Sequence, residues 1–355
     1  MKIWQKLRKD KTLWRPYFIR EKVIRAIREF FYKEGFHEVE TPLLVSSVIP
    51  ESYHEVFTTT LLDRNQKTYR MFLATSPEAS LKKLIAAGIG NCFEITKSFR
   101  NGESASASHN PEFTILEWYR MDVGYEAIMR DLENLFLFIR QKLRPRKPRH
   151  LFYQGKKVDL SPPWERISMA EALKKYAGIS FDAFTRKEAV SVNEMFPVDM
   201  LIPIAKKKGY SPDNQNTWEE LFNQIFLNEV EPHLGVGHPT ILYGYPAPLA
   251  ALSRISTQDP RFAERFELYS EGLELADCYS ELTDHAEQKK RFQRECEEIE
   301  KQKKTPVIPD MEYLQALETG LPRCSGIAVG VDRLCMLFAN VASIQDILLF
   351  PHALT

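Results

Sequence analysis

The chain has 355 residues, 44% of them apolar, with 48 basic and 48 acidic side chains and a formal net charge of zero. That length holds one large domain or two small ones with a substantial core, and the charge balance argues against broad non-specific nucleic-acid binding, which needs a basic surface to neutralise phosphates. The five cysteines are odd in number and form no CxxC pair, which argues against a zinc ribbon or a disulfide framework and suits free thiols in a reducing compartment.

Residues 1–14 form a basic, amphipathic lead-in. Residues 1–20 lack the apolar core of a signal peptide, and no apolar run approaches the ~20 residues of a membrane span, so a soluble, cytoplasmic protein is expected. From 18 to 33 apolar residues recur at helical spacing, and Gly35 supplies the stop, which predicts a helix. A strand is predicted over 36–44, taking in Pro42, then a loop over 46–60 and a strand over 68–74. Thr75-Ser76-Pro77-Glu78 reads as a turn opening a helix over 79–87, with Ser76 ahead of Pro77 as the start signal. Glu78 fits there as an acid favoured by the helix dipole.

Residues 93–99 and 113–119 alternate bulky and polar side chains around a Gly/Ser/Ala/Asn-rich stretch, 101–110, and so predict a long-looped hairpin. Arg100, Glu103, His109, Asn110, Glu112, Glu117 and Arg120 flank or line it. Arg100 offers a forked donor suited to a phosphate oxygen, and Phe113 a flat face for a base. On the residues alone, a solvated loop with incidental charge explains the pattern equally well.

A helix follows over 124–144, stopped by Pro145 and Pro148. The basic run 142–149 reads as a solvated linker in preference to a docking strip for an acidic partner. Residues 151–209 form an αβ insertion with a helix at 169–176, and a further amphipathic helix covers 218–229. Strands are predicted over 239–246 and 262–268. The stretch 271–282, EGLELADCYSEL, carries Glu274 and Glu281 seven apart, which in isolation are most simply two exposed acids on a strand. A charged helix at 283–303, a short helix at 311–318, a Gly-rich strand over 326–331 and a helix over 331–339 bearing Arg333 complete the chain.

Three stretches, in order, resemble the motifs of the class II aminoacyl-tRNA synthetases, in their lysyl branch. Val39-Glu40-Thr41-Pro42 after a helix is similar to motif 1. FRNGE at 99–103, followed by HNPEFT at 109–114, resembles motif 2, and GIAVGVDRL at 326–334 resembles motif 3. The strings LATSPE, HNPEFTILEWYR and RISTQDPRFAERFELY add to the likeness, which spans roughly residues 16–350. It implies an α+β fold, the class II synthetase catalytic fold, with a mostly antiparallel sheet flanked by helices. It implies a homodimer formed through the motif 1 helix and strand. It also implies a lead-in over 1–15 and a single catalytic domain over 16–355, with an insertion around 151–235 and no anticodon-binding domain.

The resemblance carries roles onto particular residues, with ATP and Mg2+ as cofactors. Arg100 would contact the α-phosphate and Arg333 the γ-phosphate of a bent ATP, as the two catalytic cations. Glu103, His109, Asn110, Leu275 and Gly330 would line the nucleotide, and Phe113 would stack on adenine. Glu274 and Glu281 would hold magnesium, which favours oxygen ligands shared with phosphates. Ser76, Glu78, Glu117, Tyr119, Asp277, Glu281 and Ala328 would receive the amino acid, with Glu78 as a counter-charge for its ammonium. Acids grouped around one cation suit a basic substrate such as lysine and reject an apolar one.

A bare catalytic domain of this kind resembles a paralogue branch that attaches (R)-β-lysine to a lysine side chain of elongation factor P in place of tRNA. Ala328 stands where the lysyl synthetases have Gly. One methyl on the pocket wall would favour a displaced β-amine, by ~1–3 kcal/mol. There are two departures from the pattern. Motif 2 has Gly102 where its Glu is expected, with Glu103 next in a loop one residue longer, so Glu103 is expected to serve through a shifted loop. Asp277 replaces the usual Asn, exchanging an amide donor for an acceptor. The expected activity is therefore the elongation factor P ligase. The alternatives are a free-standing aminoacylase for tRNA or another small acceptor, and an inactive domain that binds a partner or senses lysine.

Overall fold

The computed structural model describes residues 3–102, 106–145, 149–189, 191–213 and 215–351. Its strands in chain order are β1 His37–Glu38, β2 Leu44–Val45, β3 Thr58–Leu62, β4 Thr68–Leu73, β5 Cys92–Phe99, β6 Glu112–Met121, β7 His150–Tyr153, β8 Lys156–Asp159, β9 Glu165–Ser168, β10 Thr240–Pro246, β11 Phe262–Ser270, β12 Leu273–Ser280 and β13 Cys324–Gly330. The helices are α1 Ile3–Lys9, α2 Arg15–Lys33, α3 Glu78–Ala86, α4 Tyr125–Leu143, α5 Met169–Ala172, α6 Val192–Met195, α7 Val198–Lys207, α8 Trp218–Glu229, α9 His285–Lys301, α10 Met311–Gly320 and α11 Val331–Ala339. An eight-stranded sheet runs β1-β5-β6-β13-β12-β11-β10-β9. It is antiparallel except at its two ends, where β1 pairs parallel with β5 and β9 parallel with β10. The expected α+β fold with a mostly antiparallel sheet is present.

Alternation along the strands divides this sheet into two chemically different faces, because directly opposed residues share a face. One cross-strand row is Phe266, Cys278, Ile327, Trp118 and Phe93. All five are buried, and they join the main core with α2, α4 and α11. On α2, Val23, Ala26, Ile27, Phe30 and Phe31 fall at helical spacing and pack onto that row, the Phe31 ring lying 5.0 Å from Trp118. The next row, on the other face, is Glu267, Asp277, Ala328, Glu117 and Glu94. A sheet that gives one face to apolar packing and lines the other with carboxylates has its site on the second.

The insertion has a core of its own, with Trp218, Phe222, Phe184 and Phe196 at its centre. It reaches Leu242, Tyr245 and Tyr269 of β10 and β11, so it walls the far end of the carboxylate face. Its β9 joins the main sheet directly. The capping box of Thr217 and Glu220 fixes where α8 begins, at the residue the periodicity predicts.

Three local expectations are corrected. The strand over 36–44 is only two short pieces, β1 and β2. Thr41 turns its amide and hydroxyl to the Glu94 carboxylate, both at 2.9 Å, and Pro42 has no N–H, so the ladder breaks there. The loop over 46–60 ends inside β3, which pairs with β4 in a separate three-stranded sheet with β2. The helix over 169–176 is α5 followed by one π-helical turn, Leu173–Ala177, closed by Gly178 at φ 66°.

Candidate active site

Four strand ends and two helix starts bring the predicted residues onto the carboxylate face. Parity decides which hairpin charges belong there. Phe113, Ile115, Glu117 and Tyr119 share the site face. Arg120 lies on the other, where it pairs with Asp131 at 2.8 Å and with Glu34. Glu112 is at the strand end, paired with Lys97 at 3.1 Å. The hairpin mouth therefore splits between chemistry and packing.

At one end of the face sit the two arginines. The Arg100 guanidinium lies 5.1 Å from the Phe113 ring centroid, so a face of the ring expected to meet adenine carries a cation here. Arg100 Nε is buried and has no hydrogen-bond partner among the described residues, a donor left for an anion. Arg333, in the first turn of α11, donates from Nη1 to the Glu274 carbonyl at 2.8 Å, from Nε to Ser108 O at 3.3 Å, and from Nη2 to His109 Nε2 at 2.9 Å. A guanidinium only donates, so His109 Nε2 accepts and the ring proton sits on Nδ1, facing Ser106 Oγ at 2.7 Å. Asn110 is buried and donates to Glu112 O at 2.5 Å. Gly330 pairs with Ile115, and a Cβ there would meet only the Arg333 stem, at 3.9 Å. Glu103 lies outside the described residues.

Asp332 locks this end. It accepts from the Thr114 amide at 2.8 Å and pairs with Arg20, tying α11 to β6 and α2. It lies within the GIAVGVDRL stretch, immediately before Arg333.

Glu274 and Glu281 are not brought together. They lie at opposite ends of β12, roughly 20 Å apart at strand rise. A β-bulge adds Leu275 opposite the Leu268–Tyr269 step, which turns Glu274 onto the site face. Leu275 itself is buried in the core behind the sheet. Directly across from Glu274 is Tyr269, with Glu267 two residues back along β11 on the same face, opposite Asp277. Burial raises the Glu267 carboxyl, the Arg265 cation opposes this, and Glu274 adds to the rise. Glu231 feels the same two acids and Arg333. Glu274 and Glu281 thus stand at opposite ends of the face, and the described residues hold no group of three or more His, Cys, Asp or Glu side chains placed for a metal ion.

At the other end lies the predicted amino-acid pocket. Lys82 of α3 is fully buried, with Nζ at 2.5 Å from both Glu78 Oε1 and Glu281 Oε2. Both Glu281 oxygens are buried and lack a hydrogen-bond partner among the described residues, Oε2 making its contact with Lys82 as an ion pair and Oε1 making none. Burial pushes the Glu281 carboxyl up to about 7, with Lys82 opposing and Glu78 adding. Burial, reinforced by Glu78, also holds the Glu117 carboxyl well above its usual range, and Tyr119 donates to it at 3.1 Å. Gly326 is obligatory: a Cβ would stand 2.2 Å from the Tyr119 ring and 2.5 Å from Glu281 Oε1. Ser76 Oγ accepts weakly from the Glu78 amide at 3.4 Å, and the helix cap is Pro77. Ala328 sits in the middle of the carboxylate row, between Asp277 and Glu117. Asp277 is held by Arg265 through two contacts of 3.0 Å and by the Tyr279 hydroxyl at 2.6 Å, so the acid that replaces the usual amide is engaged by a cation.

The architecture is that of a synthetase catalytic unit, with an anion-seeking end and an acid-lined end on one sheet face. The family model for tRNA synthetases class II (D, K and N) matches residues 4–354, and the chain belongs to that family. It is 36% identical over 350 residues to the elongation factor P–(R)-beta-lysine ligase of Mannheimia succiniciproducens, covering 98% of this chain and 97% of that one. It is also 36% identical to the lysine–tRNA ligase of Pelotomaculum thermopropionicum, over 94% of this chain and 62% of the relative, and to that of Pasteurella multocida, over 95% and 64%. The chain thus spans under two thirds of the length of these lysine–tRNA ligases.

Proposed function

We propose that this protein activates (R)-β-lysine or lysine with ATP and transfers it to a lysine side chain of elongation factor P. One observation carries the reading: Arg100 Nε and Glu281 Oε1 are a buried donor and a buried acceptor, both without hydrogen-bond partners among the described residues, at the two ends of one sheet face. An amino acid with an extra amine needs an acid at one end, and its activated carboxylate needs a cation at the other. The Mannheimia relative, matched along nearly its whole length, supports elongation factor P as the acceptor.

The substrate carboxylate oxygen attacks the α-phosphorus, the bond from that phosphorus to the β-bridging oxygen breaks, and pyrophosphate leaves. The acceptor amine then attacks the acyl carbon, AMP departs, and the amine loses its proton. Arg100 neutralises charge gathering on the α-phosphate, and Arg333 holds the terminal phosphate. Magnesium would supply charge neutralisation at the phosphates when bound, and Glu274, beside Arg333, is the carboxylate at that end that would help hold it. Ala328 shapes the wall beside Glu117, where a displaced amine would sit. The chain acts as a homodimer in the cytoplasm, with its catalytic domain over 16–355 and its insertion around 151–235. All five cysteines are free, which suits a reducing compartment. No described helix is long and apolar enough to cross a membrane.

Purified protein is incubated with ATP, either amino acid, and elongation factor P or tRNA. A mass gain of one lysyl unit on the factor is expected, greater with (R)-β-lysine. Charged tRNA with an unmodified factor would transfer the activity to the aminoacylase. Absence of ATP–pyrophosphate exchange with both amino acids would leave a binding domain.

A further inference from the structure

Lys82 has no role in the reading above, and its placement is unusual. It lies one helical turn after Glu78 on α3, where a lysine ordinarily reaches solvent. Here the side chain is fully buried, with Nζ 5.6 Å from the Tyr313 ring centroid of α10. Burying an ammonium costs several kcal/mol unless it is paired. Two carboxylates meet that need, Glu78 from the same helix and Glu281 from beyond β12, each at 2.5 Å.

The contact uses one oxygen of each acid. Among the described residues Glu281 Oε2 has only its ion-pair contact with Lys82 and Oε1 has no hydrogen-bond partner; Oε1 is pressed toward Gly326 and the Tyr119 ring, and Glu117 lies beside Tyr119. Three carboxyls therefore surround one resident ammonium, and the group still has capacity for added positive charge. We propose that Lys82 is a positioning residue for the amino acid: its ammonium ties Glu78 and Glu281 together by one oxygen each and aims the remaining oxygens at the substrate's ammonium groups. This rests on the amino-acid activation proposed above. The pocket then distinguishes a diamino acid from a monoamino acid by geometry fixed before the substrate arrives, which lowers the ordering cost of binding. ATP, at the arginine end, does not use this device.

Lys82→Met keeps the length of the side chain and removes its charge. In ATP–pyrophosphate exchange, the KM for lysine or (R)-β-lysine is expected to rise at least tenfold, with the KM for ATP within twofold and the preference for lysine over norleucine reduced. Lys82→Ala is expected to recover part of its exchange rate on addition of n-propylamine. In the wild-type protein, independent of any variant's folding, the 15N signal of the Lys82 ammonium is expected to shift on adding the amino acid and not on adding ATP. An unmoved signal, or an unchanged amino-acid KM in Lys82→Met, overturns the proposal. Equal losses for amino acid and ATP without amine rescue also overturn it, because they mark a purely structural lysine. Wild-type protein that activates no basic amino acid overturns the parent reading, and this one with it.

Discussion

In the proposed activity, two arginines and one carboxylate carry most of the chemistry. Arg100→Ala and Arg333→Ala should each lower ATP–pyrophosphate exchange by at least about 10²–10³-fold, the range for loss of one preorganised charge-stabilising donor. Circular dichroism should show both variants folded, since Arg100 has its Nε unbonded and Arg333 is partly exposed. Ala328→Gly should shift the ratio of kcat/KM for (R)-β-lysine over lysine toward lysine by about tenfold, in keeping with a single methyl. Glu281 sets a pH dependence. Its folded-state carboxyl is raised to about 7, so its contribution to stability is full below its unfolded value of 4.5 and is lost as pH rises through 7. An ammonium substrate binds the ionised form and reverses that loss. The rise in melting temperature on adding lysine should therefore grow from pH 5 to pH 8, and Glu281→Gln should flatten it.

At the level of elements, β13 shows how tightly a strand can be specified by the site in front of it. Gly326→Ala puts a methyl inside the Tyr119 ring and against Glu281. Overpacking of this kind costs about 1–3 kcal/mol. The variant should melt lower and lose amino-acid activation more than nucleotide binding, as equilibrium dialysis with ATP would show. Much of the element pattern was legible in the sequence. The residues of α2 and α8 announce themselves by periodicity, α2 also by Gly35 as its stop, and the hairpin of β5 and β6 by alternation. Less was legible where contacts distant in sequence decide. The early end of β1 depends on Glu94, 53 residues from Thr41. The partner of Glu274 depends on which strands are neighbours, and spacing along one strand cannot supply that. Nothing in the sequence sets Lys82 apart, because its burial is completed by α10, far along the chain.

The molecule as a whole leaves apolar side chains uncovered near the motif 1 segment. Leu43 and Leu44 are 36% and 40% exposed, and Leu61 and Leu62 on β3 are 44% and 53% exposed. A second copy covering this region would bury them. Sedimentation should give twice the chain mass of 41.3 kDa, and Leu44→Glu combined with Leu62→Glu should shift the population toward monomer. Opposite this surface, the insertion's aromatic core and the main core meet along β10 and β11, so the acid-lined face is braced from both sides.

The extra residue at Leu275 makes β12 tolerant of one length change and of no other. Ala276 pairs with Leu268 and Glu274 with Tyr269, so removing Leu275 would leave a regular ladder with Glu274 still facing the same way as Asp277. Losing Ala276 as well would reverse the parity, rotate Glu274 through the sheet and strand a carboxylate among hydrocarbons.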